Sequence, residues 1–116
     1  MELKEYQAKA LAFDTKTPLF RDMARVNAAL SHACIGLAGE TGEVAEVLKR
    51  VITGRITHED GRARLIEELG DVLWYVALMS TTLNIDLGEV LEKNIDKLYA
   101  RHGHPSLTAP ALRTLD

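Results

Sequence analysis

The chain has 116 residues, 47% of them apolar, and a formal net charge of −3. That is enough for one globular domain with one modest core, and it excludes a disordered chain. No block of basic residues offers a footprint for nucleic acid, and no apolar run approaches the ~20 residues of a membrane span.

The N-terminus, MELKEYQAKA, is charged and has no signal-peptide pattern. A single cysteine, Cys34, cannot form an internal disulfide; it reads as a small buried residue in a cytoplasmic protein. The first helix is expected over Leu3 to Phe13, with Leu3, Tyr6, Gln7, Ala10 and Leu11 on one side. The DTKTP stretch, Asp14 to Pro18, is a turn or loop. No proline interrupts the chain between Pro18 and Pro105, and helical periodicity runs through that interval.

The second helix is expected from near Asp22 to about Ile52. Its apolar stripe is Leu30, Cys34, Leu37, Thr41, Val44, Leu48 and Val51, the alternating spacing of a helix packed nearly antiparallel on another. Gly36, Gly39 and Gly42 lie inside it, at a cost of about 1 kcal/mol each relative to alanine. Either a close helix approach or room for a ligand accounts for them, and their place beside Glu40 and Glu43 favours the ligand. Gly54 is the expected C-terminal stop. A polar connection, Arg55 to Asp60, leads to a third helix from about Gly61 to Leu83, with the stripe Leu65, Leu69, Val72, Val76, Met79 and Leu83. Asn84-Ile85 closes it. Asp86 and Glu89 make a capping-box-like start for a fourth helix, about Leu87 to Arg101, with Leu87, Val90, Leu91, Ile95 and Leu98 apolar. Gly103 ends that helix. Residues 1–104 are expected to form one domain and 105–116 a C-terminal tail.

The second helix carries Glu40 and Glu43; the third carries Glu68 and Asp71. Each pair is spaced i, i+3, so both carboxylates of a pair stand on one side of the helix, one turn apart. Like charges there repel, so they do not stabilise the helices that carry them. Two such pairs on two otherwise apolar helices read as half-sites of one metal cage. Hard divalent ions such as Mg²⁺, or alternatively Mn²⁺, take oxygen ligands from carboxylates and substrate phosphates. A bound metal would also let an acidic chain hold a nucleotide. Tyr75 shares the flank of Glu68 and Asp71, and His32 shares that of Glu40 and Glu43. His32 is either a satisfied core histidine or a contact to a base. The bland reading of the acids is a solvated helix face.

Two long helices and a shorter one, each with a wide apolar stripe, do not close a deep core alone. The fold expected is all-α: a bundle of three main helices plus a short N-terminal helix, its four-helix core completed by dimerisation. The oligomer expected is a homodimer or a dimer-of-dimers tetramer.

The segments GLAGETGEVAE, EELGDVLWY and KNIDKLYARHG together resemble the MazG-type nucleotide pyrophosphohydrolases of the all-α NTP pyrophosphatase superfamily. Their shared pattern is E-x-x-E, a spacer, then E-x-x-D; here the two motifs are separated by residues 44–67. The resemblance covers roughly residues 30–102. It implies a Mg²⁺-dependent hydrolase that converts a nucleoside triphosphate to the monophosphate and pyrophosphate, in nucleotide-pool housecleaning. Glu40, Glu43, Glu68 and Asp71 match the metal ligands and catalytic acids, any one of which acts either as a base or as a direct ligand. Tyr75 matches a position that faces the nucleotide. Asn94, Lys97 and Arg101 match a segment that approaches the phosphates. Many MazG-type proteins carry two such domains, whereas this sequence has one. No portable motif marks the nucleobase pocket. A different class, a non-catalytic helical oligomerisation, adaptor or nucleotide-binding module, would use the same helices without the chemistry. Lys97 and Arg101 near a helix C-terminus also serve as simple complements to its dipole.

Overall fold

The computed structural model describes residues 1–13 and 23–105; the expected DTKTP turn, Asp22 and residues 106–116 of the tail lie outside the described residues. Four helices, and no strand, occur among those described: α1 (Leu3–Ala12), α2 (Met23–Ile52), α3 (His58–Thr82) and α4 (Leu87–His102).

Local chemistry explains the ends. After α2, Gly54 adopts φ +72°, a left-handed turn that an L side chain resists, and the Arg55 and Ile56 N–H groups fold back to donate to the Arg50 carbonyl. The third helix begins at His58, earlier than the expected Gly61. Thr57 caps it, its Oγ1 accepting from the Asp60 N–H at 3.0 Å, and Glu59 and Asp60 lie in the positive first turn. Gly61 is instead a packing contact: a Cβ there would collide with the Val51 side chain of α2. Asn84, at φ +56°, ends α3, with the Ile85 N–H donating to the Ser80 carbonyl at 2.8 Å. Asp86 caps α4 by accepting from the Gly88 N–H at 2.7 Å.

The frame is the α2–α3 hairpin, whose helices pack along their length. Its interior is built from Val26, Ala33 and Val47 of α2 and Gly61 and Leu78 of α3, all buried. The short α1 seats on the turn between α3 and α4. One residue, Gln7, makes most of that joint. Its Nε2 donates to the Ile85 carbonyl at 3.1 Å and to Thr81 Oγ1 at 3.4 Å, and its Oε1 accepts from the Leu87 N–H at 2.9 Å. Lys4 pairs with Asp86 at 3.0 Å, and a small cluster of Ala10, Ala77 and Leu87 closes the contact. The α4 helix touches α1 and α3 but not α2.

Two sequence expectations are corrected here. The inward face of α2 is rotated from the expected stripe: Cys34, Thr41 and Leu48 are exposed, while Val26, Ala33 and Val47 point inward. Cys34 is therefore an exposed thiol and not a buried one. The apolar arc of α2 is wider than one neighbouring helix can cover, and periodicity alone finds the middle of the arc, not the part that α3 meets. Likewise on α3, Ile66 (58% exposed), Leu69 (50%) and Leu73 (53%) stay open. On α4, Leu87 is buried but Val90, Leu91, Ile95 and Leu98 are exposed.

Candidate metal centre

Glu40 stands on the inward face of α2, between the turns of Gly36 and Val44. Glu68 stands on the inward face of α3, between Leu65 and Val72, and Asp71 follows one turn later. Because α2 and α3 pack side by side there, one carboxylate oxygen each of Glu40, Glu68 and Asp71 lies within 4.8 Å of the others. Glu40 and Glu68 are half-buried and Asp71 is exposed. Glu43, one turn beyond Glu40, is exposed and falls outside this tight group.

The electrostatics are those of uncompensated negative charge. The Glu68 carboxyl is held above its ordinary range, first by partial burial and then by the charges of Glu43, Asp71, Glu40 and Glu67. Glu43 thus acts on the group electrostatically without joining it. The ion pairs among the described residues lie elsewhere: Lys4 with Asp86, Lys9 with Glu5, and Lys49 and Arg50 with Glu46. Among the described residues these three converging carboxylates have no basic partner, and the set fits a hard divalent cation, which would neutralise them.

The glycines of α2 divide between the two explanations offered for them. A Cβ on Gly36 would collide with the ring of Tyr75, so this glycine serves a close approach. Gly39 and Gly42 would meet nothing within 4 Å, so open space lies over the turns that carry Glu40 and Glu43. Tyr75 is half-buried and meets the neighbouring Trp74 edge-on, with ring centroids 4.9 Å apart. His32, one turn before Gly36, is exposed, which removes the core-histidine reading.

Within one protomer α4 does not meet α2, the helix of Glu40 and Glu43. Asn94, Lys97 and Arg101 are exposed. Asn94 and Lys97 line an open groove of about 420 Å³ with Ile85, Glu89, Val90 and Lys93. Arg101 lies in the last turn of α4, where its charge complements the helix dipole. Trp74, which periodicity places off the acid flank, is the tether missed from sequence: its Nε1–H donates to the Ala10 carbonyl at 3.3 Å. The one sequence signal for that joint is a polar residue, Gln7, inside the apolar stripe of α1.

Residues 31–106 match the MazG nucleotide pyrophosphohydrolase domain. The Gene 37 protein of Mycobacterium phage L5 is 43% identical over 75 residues, which span 62% of this chain and 65% of that protein, slightly under two thirds of its length. No solved structure matches. All of the acids, Tyr75 and the α4 cations lie inside the matched segment.

Proposed function

Because this chain belongs to the MazG nucleotide pyrophosphohydrolase domain family, we propose that it is a Mg²⁺-dependent enzyme cleaving a nucleoside triphosphate, ribo or deoxy, to the monophosphate and pyrophosphate. Removal of unwanted nucleotides from the cellular pool is the role that fits. The observation that carries the reading is the convergence of Glu40, Glu68 and Asp71 from two helices, with no ion pair to them among the described residues.

In this reading Glu40, Glu68 and Asp71 hold Mg²⁺, or Mn²⁺ in its place, with Glu43 at the margin. A metal held there would supply positive charge to neutralise phosphate oxygens and so favour attack at the α-phosphorus. The chain's own residues do the rest. In this reading Glu43, which is outside the tight group, takes the proton from the attacking water. In the same reading the Tyr75 ring offers an aromatic surface to the nucleotide, and the exposed His32 is a contact to the base. Asn94, Lys97 and Arg101 stabilise the leaving pyrophosphate. Since α4 does not meet α2 within one protomer, these groups reach the acids from a second copy of the chain. That copy also covers Ile66, Leu69 and Leu73, giving a homodimer or a dimer of dimers.

The test is a panel of the eight common ribo- and deoxyribonucleoside triphosphates with Mg²⁺, the products resolved by chromatography. Monophosphate with pyrophosphate supports the reading. Diphosphate with inorganic phosphate overturns the cut while sparing the metal site. If the chain is a non-catalytic adaptor, no triphosphate is turned over and Mg²⁺ with nucleotide leaves the melting temperature unchanged; a site with ligand at 100 times its Kd gains about 2.7 kcal/mol.

A further inference from the structure

The chain has one tryptophan, Trp74, in the turn of α3 that follows Asp71. Its indole faces two elements at once. Toward α1, Nε1–H donates to the Ala10 carbonyl at 3.3 Å, and the ring packs against the Ala10, Ala77 and Leu87 cluster. Toward the acids, the ring meets Tyr75 edge-on, with centroids 4.9 Å apart and planes at 73°. Tyr75 in turn lies against Gly36, one helical turn from Glu40. Among the described residues the Tyr75 hydroxyl has no hydrogen bond, so packing sets the plane of its ring. The seat of α1 is fixed from the far end by Gln7, through its bonds to Thr81, Ile85 and Leu87. A continuous line of contacts therefore runs from the N-terminal helix to the aromatic ring beside the carboxylates.

We propose that Trp74 is a positioning residue: braced on α1 through the Ala10 carbonyl, it fixes the plane of Tyr75 and so the aromatic surface offered to the nucleotide. This rests on the reading of Tyr75 as a nucleotide contact. It gives the short N-terminal helix, which lies outside the family-matched segment, a role in substrate affinity.

The test uses the full chain labelled with 3-fluorotyrosine. Three tyrosines, Tyr6, Tyr75 and Tyr99, give three fluorine resonances, and Tyr75→Phe assigns the one that matters. Gln7→Ala loosens α1 without removing either ring, and Tyr6 reports the loosening. Tyr75 is expected to shift or broaden with Tyr6 while Tyr99 holds still. Should Gln7→Ala leave Tyr6 unmoved, Ala10→Asp, which puts a charge into the buried cluster, unseats α1 instead. In parallel, Trp74→Leu is expected to raise the KM for the triphosphate by roughly two- to tenfold, the size of one aromatic edge contact, with kcat and Mg²⁺ affinity held. Trp74→Phe, which keeps a ring edge, recovers part of that loss. A Tyr75 resonance that ignores an unseated α1, or a KM unmoved in Trp74→Leu, overturns the proposal. A wild-type chain that turns over no triphosphate overturns the functional reading separately, and the fluorine spectra still decide the link from α1 to Tyr75.

Discussion

The ring of Tyr75 on α3 occupies the space that a side chain at Gly36 on α2 would need. Gly36→Ala therefore sets two effects against each other. Alanine in a helix interior is favoured by about 1 kcal/mol over glycine. Overpacking against a ring costs about 1–3 kcal/mol. The collision is expected to win, so thermal melting should show a less stable protein with a raised KM. Gly39→Ala, where nothing lies within 4 Å, has only the gain and should melt higher. A Gly36→Ala protein as stable and as active as the wild type would show that Tyr75 does not need that contact.

Asp71→Asn should abolish hydrolysis and leave the helical circular dichroism spectrum unchanged. Removing one of the crowded charges should also raise the melting temperature of the metal-free protein, since Asp71 is one of the charges that lift the Glu68 carboxyl. Full activity in this variant would remove Asp71 from the site.

The Glu68 shift has a definite sign for stability. Its pKa in the folded chain lies above the ordinary 4.5, so between those two values the folded state holds more protons than the unfolded state. Metal-free stability should fall as pH rises from about 4.5 through the folded value, and saturating Mg²⁺ should reverse the loss. Melting curves at stepped pH, with and without Mg²⁺, measure this directly. A metal-free protein whose stability rises across that window in wild type but not in Glu68→Gln would contradict the assignment.

Asp86 behaves in the opposite way. Its carboxyl is held low by the Lys4 ammonium and by the Gly88 N–H that it caps, so its contribution is present above the ordinary 3.8 and is lost as pH falls through the folded value. Lys4→Met should weaken that acid-side dependence, and added salt should do the same because the Lys4 side of the pair is exposed. Titrating Asp86 by NMR in both proteins reads the effect; an unchanged titration midpoint would rule out Lys4 as the cause.

The open apolar side of the hairpin predicts assembly. Light scattering at micromolar concentration should give at least twice the chain mass, and Leu73→Glu, which puts a charge into that surface, should give the monomer. If α4 cations from a second copy complete the site, activity falls with dissociation. A wild-type monomer that is fully active would refute both expectations.

Much of this protein is legible from residue order alone. Caps and stops act locally, so Gly54, Asn84 and Asp86 mark helix ends without reference to the rest of the chain, and α2 and α4 begin and end close to where periodicity puts them. The i, i+3 acid pairs are equally local: a helix with carboxylates at 40 and 43, or at 68 and 71, presents them one turn apart whatever it packs on. Family membership follows from the same residues.

What only the tertiary structure decided is which part of each helix surface meets a neighbour. The arc of α2 offers several inward faces of similar hydrophobicity, and the phase at which α3 docks is set by interlocking shapes such as Val51 against Gly61 and Tyr75 against Gly36. That phase exposes Cys34 and Leu48, draws Glu40, Glu68 and Asp71 together, and leaves Glu43 at the edge. The α1 seat is likewise non-local. Gln7 meets Leu87 and Trp74 meets Ala10 across long stretches of chain, through single hydrogen bonds that no periodicity records. Periodicity reports how apolar a face is, and contact depends on which face finds a complementary surface.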